Sequence, residues 1–331
     1  MNVSLTMWLV TVGAILVLVV MDFLTVSRKP HEVSFREAAL WSVFYIAVAV
    51  AFGVFIWVWQ GGDFGTQYFA AYLVEKSLSV DNLFVFVIIL AQFAVPSIYH
   101  QRVLLVGVVL ALVLRAIFIA VGAAALAACS FTLVFFGAII IWTGIQLFRH
   151  RDAEPEPKDN LVVRTVRKWY PVTPDYHDTK LFVRIDGKRM ITPLMLVMVA
   201  IASTDLLFAL DSIPATFGVT QEPYLVFTAN AAALLGLRAL YFLLKGLLSK
   251  LIYLSMGLAI ILVFIGFKLI LTFAHEVNND IPKIPTVFSL GVIAAILIIV
   301  TIASWLKVRK DPTATAHAGT VTKPKSHEEE Q

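Results

Sequence analysis

The sequence has little of what a soluble protein carries. Only 15% of its 331 residues are charged, whereas a typical soluble domain has about a quarter, and 60% are hydrophobic. Its one cysteine, Cys129, excludes an intrachain disulfide and a metal cage built from cysteines. The formal net charge of +4 is a weak bias. These absences exclude a soluble enzyme, a secreted disulfide scaffold and a nucleic-acid-binding protein.

The chain contains instead apolar runs that are long enough to cross a membrane, which takes about 20 residues in a helix. We predict nine such segments, at 5–26, 37–59, 67–94, 102–127, 129–149, 191–213, 224–245, 249–273 and 286–307. Helices are expected because lipid leaves backbone groups no other partners, and the alternating pattern of a barrel is absent. The first segment lacks a basic leader and is too long for a signal peptide. The sequence therefore predicts an all-α integral membrane protein with about nine transmembrane helices.

The basic residues fall in every second connection between these segments. Lys and Arg follow the first, third, fifth, seventh and ninth segments, and the alternate connections carry almost none. Positively charged loops remain in the cytoplasm. We therefore expect the N-terminus outside and the C-terminus in the cytoplasm.

Two stretches are expected to lie outside the bilayer. Residues 150–190 form a polar cytoplasmic loop, in which the alternation around Asp186-Gly187 predicts a small β-hairpin. Residues 311–331 have no apolar periodicity and read as a disordered tail, where His317 and His327 are solvated.

Three sequence matches recur in the same order and indicate an internal repeat. Pairs of acids six residues apart, Leu-Arg-Ala segments, and Gly-x-x-Leu segments appear first in 67–149 and again in 191–273. A unit of three helices must re-enter the membrane from the opposite side, as in many secondary transporters. We therefore predict an inverted repeat of helices 3–5 and 6–8, preceded by two helices in 1–60 and followed by a ninth at 286–307.

Five carboxylates fall inside predicted spans: Asp22, Glu75, Asp81, Asp205 and Asp211. Each acid at a helix centre opposes insertion by about 2.5–3.5 kcal/mol, which favours a functional role. Asp22 is the least secure, because it lies within about a turn of the membrane boundary.

Buried basic residues accompany these acids. Arg115 and Arg238 fit equally well as counter-charges for the acids or as gating residues. Lys76 and Lys268 could serve as tethered cations in an empty site, although Lys268 fits a snorkelling role as well.

The spacing of the acids limits how they can meet. Two acids six residues apart lie about 9 Å apart along a helix and about 120° apart around it, so one straight helix cannot easily place both on one ion. Pro214 could interrupt the sixth helix and let Asp205 and Asp211 converge.

All candidate ligands in the core are oxygens, and Asn82 is the best neutral one. Such ligands suit Mn²⁺, Mg²⁺ or Ca²⁺ and disfavour copper and zinc. Spacing leaves the choice between these ions open. Four buried carboxylates around one divalent ion leave spare negative charge, so protons are the natural coupling ion.

The segments that carry these acids resemble a known family. Glu75–Asn82 and Asp205–Ala215 are similar to the two hallmark segments of the TerC family, and Arg184–Arg189 resembles the loop of its longer, Alx-like bacterial members. The likeness covers about residues 5–307. It implies membership of the LysE transporter superfamily and export of divalent metal, chiefly Mn²⁺, across the bacterial inner membrane. It also implies the metal-site residues Asp22, Glu75, Asp81, Asn82, Asp205 and Asp211.

We therefore expect a proton-coupled exporter, not an enzyme, that has no resident cofactor and carries Mn²⁺ as its substrate. Its partners would be the metal ion, protons and the lipid bilayer. Another hypothesis is a membrane scaffold that delivers metal to exported proteins, with a partner docked on the 150–190 loop. An intramembrane protease using Asp81 and Asp211 as a dyad fits less well, because it needs only two acids and leaves the repeat unexplained.

Overall fold

The computed structural model describes residues 1, 3–27, 33–149, 161–177, 180–185, 188–244, 251–278, 280–282 and 284–310. In chain order the elements are α1 (Leu5–Ser27), α2 (Phe35–Gln60), α3 (Gly62–Gln92), α4 (Ser97–Ala128), α5 (Thr132–Arg149), α6 (Leu161–Trp169), β1 (Phe182–Ile185), β2 (Lys188–Ile191), α7 (Pro193–Val219), α8 (Pro223–Leu235), α9 (Leu237–Leu244), α10 (Leu254–Val277) and α11 (Thr286–Lys310). The predicted tail at 311–331, with His317 and His327, lies outside the described residues.

The all-α membrane architecture is confirmed. Among the described residues, eight helical stretches are long and apolar enough to cross a membrane, with α8 and α9 counted together as Pro223–Leu243. The helix α3 is not one of the eight, although it is 31 residues long. It carries four charged residues along its length: Asp63, Glu75, Lys76 and Asp81.

The break within the second half of the bundle is not where the sequence predicted it. The helix α7 continues through Pro214 to Val219, so the expected interruption at that proline is absent. The predicted helix at 224–245 is instead divided at Gly236 into α8 and α9. Lys76 Nζ donates to the Ala233 carbonyl oxygen (3.3 Å), which lies next to this break.

Among the described elements, α5 and α10 have the most extensive contact. A Cβ added to Gly137 would lie 2.7 Å from the Gly266 carbonyl oxygen, and one added to Gly144 would lie 2.9 Å from the Ala259 carbonyl oxygen. These pairs run in opposite directions along the chain, so the two helices are antiparallel. Small residues at such positions let two membrane helices pack backbone to backbone.

The segment between α5 and α7 contains a short helix and a hairpin. The strands β1 and β2 pair antiparallel, and the pairing of Ile185 with Lys188 leaves two residues between them. Those two, Asp186 and Gly187, are the predicted turn and lie outside the described residues. The Tyr176 hydroxyl donates to the Phe93 carbonyl oxygen (2.7 Å), which ties this segment to the end of α3.

Two contacts agree with the division of the connecting loops into two sides that the Lys and Arg distribution predicts. The N-terminal amine of Met1 pairs with Glu222 Oε1 (2.7 Å), so the N-terminus and the α7–α8 connection share one end of the bundle. The basic segment after α5 and the α3–α4 connection share another contact, through Tyr176. The assignment of one end to the cytoplasm stays a prediction.

Candidate functional site

Arg115 is fully buried on α4 and bonds to carboxylates on two other helices. Its Nη1 donates to Glu75 Oε2 on α3 (2.9 Å), and its Nη2 donates to Asp205 Oδ1 on α7 (3.3 Å). Both acids are also buried. One guanidinium thus joins the two helices that carry the acidic segments.

Neutral side chains complete this cluster. The Thr216 hydroxyl donates to Glu75 Oε1 (2.6 Å). In the amide orientation that satisfies both of its polar atoms, Asn82 accepts from Arg115 Nη2 (3.0 Å) and donates to the Leu78 carbonyl oxygen (3.1 Å). Both oxygens of Glu75 therefore have donors.

The second oxygen of Asp205 differs from those of Glu75. Within the described part of the chain, Asp205 Oδ2 is buried and has no hydrogen-bond partner. An ionised oxygen in that position carries a high desolvation cost, because the interior screens its charge poorly. Counting Glu75, Asp205 and Arg115 as ionised, the cluster has a net charge of −1, which a cation could offset.

Asp211 lies on the same helix as Asp205 but has a different neighbour. Its Oδ1 accepts from the Thr143 hydroxyl on α5 (2.9 Å). The six-residue spacing predicts this divergence, because an unbroken α7 aims the two acids at different helices. The expected convergence at Pro214 is therefore not observed.

A second buried arginine pairs with the first helix. Arg238 on α9 donates from Nε to Asp22 Oδ2 (3.2 Å), and its Nη2 bonds to Asp22 Oδ1. Both residues are buried. Asp81 belongs to α3, but its side chain lies outside the described part of the structure.

The predicted site residues do not all meet at one point. Among the described residues, no group of three or more His, Cys, Asp or Glu is placed to hold a metal ion. Glu75, Asp205 and Asn82 share Arg115, whereas Asp211 and Asp22 have partners elsewhere. A metal site that uses the whole predicted set stays a prediction.

Two threonines that bond to the acids, Thr143 and Thr216, were not predicted from the sequence. A threonine in a membrane helix commonly bonds to the carbonyl four residues earlier, as Thr216 also does to Ser212 (2.9 Å). Because this bond within the helix is common, a threonine in the sequence does not indicate a contact with another helix.

Comparison with known proteins identifies the family. The profile of the integral membrane protein TerC family matches residues 60–312. The chain belongs to this family. The matched residues include the whole Arg115 cluster, whereas Asp22 precedes them.

Individual relatives are similar over nearly the whole chain. An uncharacterized membrane protein of Myxococcus xanthus is 39% identical over 94% of this chain and 96% of its own length. One of Mycobacterium tuberculosis is 42% identical over 93% of this chain and 81% of its own. An Escherichia coli protein named "Putative membrane-bound redox modulator Alx" is 36% identical over 89% of this chain and 93% of its own. No solved structure matches the chain. The protein is thus an integral, multi-pass membrane protein of the TerC family.

Proposed function

We propose that this protein is a secondary transporter that exports divalent cations, chiefly Mn²⁺, in exchange for protons. The observation that carries the proposal is the buried cluster in which Glu75 and Asp205 share Arg115. Two carboxylates and neutral oxygens are the ligands that a hard divalent cation prefers.

In this proposal the Arg115 guanidinium pairs with both carboxylates when no metal is bound. A divalent ion that entered between Glu75 and Asp205 would displace the guanidinium and match the charge of both acids. Asp205 Oδ2, which has no partner among the described residues, supports this proposal, because the guanidinium leaves that oxygen unsatisfied. When the metal leaves, the carboxylates can be neutralised by protons, which gives a physical basis for exchange.

The pairing of α5 with α10 supports the predicted inverted repeat. In that repeat Gly144 corresponds to Gly266, 122 residues later, and the same offset relates Gly137 to Ala259. Exchanging the two copies therefore turns the Gly137–Gly266 contact into the Gly144–Ala259 contact, and both are close backbone approaches. A pair of helices whose contacts interchange when the two copies are exchanged supports a transporter in which two related halves rock about a site at the middle of the membrane.

We further propose that the protein lies in the bacterial inner membrane, with the N-terminus outside and the C-terminus in the cytoplasm. The distribution of Lys and Arg supports this orientation.

The name of the Escherichia coli relative refers to redox modulation, and thiol chemistry is not our proposal for this chain. Thiol–disulfide exchange within one protein needs two thiols, and these 331 residues contain one cysteine. The carboxylate cluster favours cation transport over such an activity.

The test is Mn²⁺ flux into proteoliposomes under a pH gradient. We expect flux in the wild type that depends on the gradient, and its loss in Asp211→Asn, because the proposal assigns this second acid of α7 to the proton-exchange step. The matched control is Asp63→Asn, which neutralises an exposed acid on α3.

The outcomes separate the parts of the proposal. Flux that survives in Asp211→Asn keeps the transporter but removes Asp211 from its mechanism. Folded wild-type protein that carries none of Mn²⁺, Ca²⁺ and Mg²⁺ would overturn the proposed function.

A further inference from the structure

Asn230 is a buried polar residue to which nothing above assigns a role. It lies in the middle of α8 and is 1% exposed. Within the described part of the structure, neither its Oδ1 nor its Nδ2 has a hydrogen-bond partner. An apolar side chain would avoid the cost of burying both atoms without partners.

The packing of α8 against α4 indicates the level of Asn230 along the bundle. Val226, four residues before Asn230, packs in one apolar cluster with Ile119, which lies four residues after Arg115. Since residues four apart share a helix face, Asn230 and Arg115 occupy matching positions on two helices that pack together.

The next turn of α8 is consistent with this register. Leu234, four residues after Asn230, belongs to the cluster that contains Ala111, four residues before Arg115. Ala233 accepts from Lys76, the neighbour of Glu75, through its carbonyl oxygen. The side of α8 that carries Asn230 thus faces the Arg115 cluster.

Other buried polar atoms without partners lie on the helices of the Arg115 cluster, at or within four residues along the chain of a residue in that cluster. Within the described residues these atoms are Ser79 Oγ on α3, Arg115 Nε on α4, and Asp205 Oδ2 and Ser212 Oγ on α7. Four helices therefore contribute buried polar atoms that have spare bonding capacity. Buried polar atoms without partners are expected where a polar ligand binds in the ligand-bound state of the protein.

We infer that Asn230 contacts the transported cation and completes its shell of oxygens through the side-chain amide oxygen. Glu75 and Asp205 would balance the charge of a divalent ion, and a neutral oxygen adds a ligand without adding charge. Ions of this class take six or more oxygen ligands, so two carboxylates alone leave the shell incomplete. This inference rests on the proposed function.

The test compares the KM for Mn²⁺ in proteoliposomes between the wild type and Asn230→Leu. We expect an increase in KM of about tenfold, which corresponds to the loss of one ligand contact, and a thermal unfolding temperature that is not lowered. Asn230→Asp keeps the oxygen and should retain flux. The control is Thr228→Val on the same helix, whose hydroxyl, within the described residues, donates to carbonyl oxygens of α8 alone.

An unchanged KM in Asn230→Leu, together with loss of flux in Glu75→Gln, would overturn the role of Asn230 and leave the transporter intact. Loss of flux in Asn230→Asp with retention in Asn230→Leu would also overturn it, because the amide oxygen would then be irrelevant. If Asn230→Leu does not fold, Asn230→Ser provides the same comparison with a shorter side chain. Wild-type protein without divalent-cation flux would overturn both proposals.

Discussion

The two buried arginines occupy corresponding places in the proposed repeat but bond to different parts of the molecule. Arg115 lies between Glu75 and Asp205, which belong to α3 and α7. Within the described residues, Arg238 pairs with one acid, Asp22, which lies on the first helix, outside both copies. The same residue type thus serves a shared pair of acids in one copy and a single acid in the other.

This difference separates a candidate binding site from a structural ion pair. A pair of one guanidinium and one carboxylate is neutral, and it holds α1 against α9. A guanidinium shared by two carboxylates leaves one negative charge that a second cation can satisfy. The Arg115 cluster also lies within the residues that the family profile matches, whereas Asp22 does not.

The largest expected effect comes from removing each arginine. Arg115→Ala and Arg238→Ala should each lower the free energy of unfolding by about 3–5 kcal/mol, because an unpaired carboxylate is left in the interior. Mn²⁺ should restore stability only in Arg115→Ala, where two carboxylates remain for the ion. Thermal unfolding in detergent with and without Mn²⁺ measures both effects.

Rescue of Arg238→Ala by Mn²⁺ to the same degree would contradict the distinction between the two sites. Potassium chloride at equal ionic strength controls for general screening by salt, and the wild type controls for binding elsewhere.

A second prediction compares the acids themselves. Glu75→Gln should lower Mn²⁺ flux by about a hundredfold or more, because it removes a charged ligand from the proposed site. Asp22→Asn should lower stability but keep most of the flux per folded molecule. Transport assays normalised to folded protein, measured by size-exclusion chromatography, test this prediction.

Equal loss of flux in folded Glu75→Gln and Asp22→Asn would mean that Asp22 belongs to the transport site, as the family resemblance implies. The structural role that we assign to its pair with Arg238 would then be wrong.

The spans and the polar residues inside them could be predicted from the sequence, because lipid imposes a length and an apolar composition on each helix. Their pairing could not. Spacing along α7 predicts that Asp205 and Asp211 point in different directions. Their partners, Arg115 on α4 and Thr143 on α5, depend on how those helices pack against α7.

The position of the helix break could not be predicted from the sequence either. Proline removes a backbone donor, so Pro214 was the expected break, yet α7 runs through it. Gly236 costs a helix less than proline does, but there the break coincides with a contact from Lys76 to a carbonyl of α8. Tertiary contacts of this kind have no local signature.

The smallest expected effect concerns the hydroxyl that supports Glu75. Thr216→Val keeps the shape of the side chain and removes its bond to Glu75 Oε1. Since a hydrogen bond to a charged group contributes about 1.5–3 kcal/mol, and Arg115 still holds the other oxygen, we expect the KM for Mn²⁺ to change by about tenfold.

The matched control is Thr143→Val, which removes the corresponding bond to Asp211. If Glu75 binds the metal directly and Asp211 acts later in proton exchange, Thr216→Val should change KM, whereas Thr143→Val should change the pH dependence of flux. An identical response of both variants in KM and pH profile would show that the two acids act as one site and would remove the division that the structure suggests.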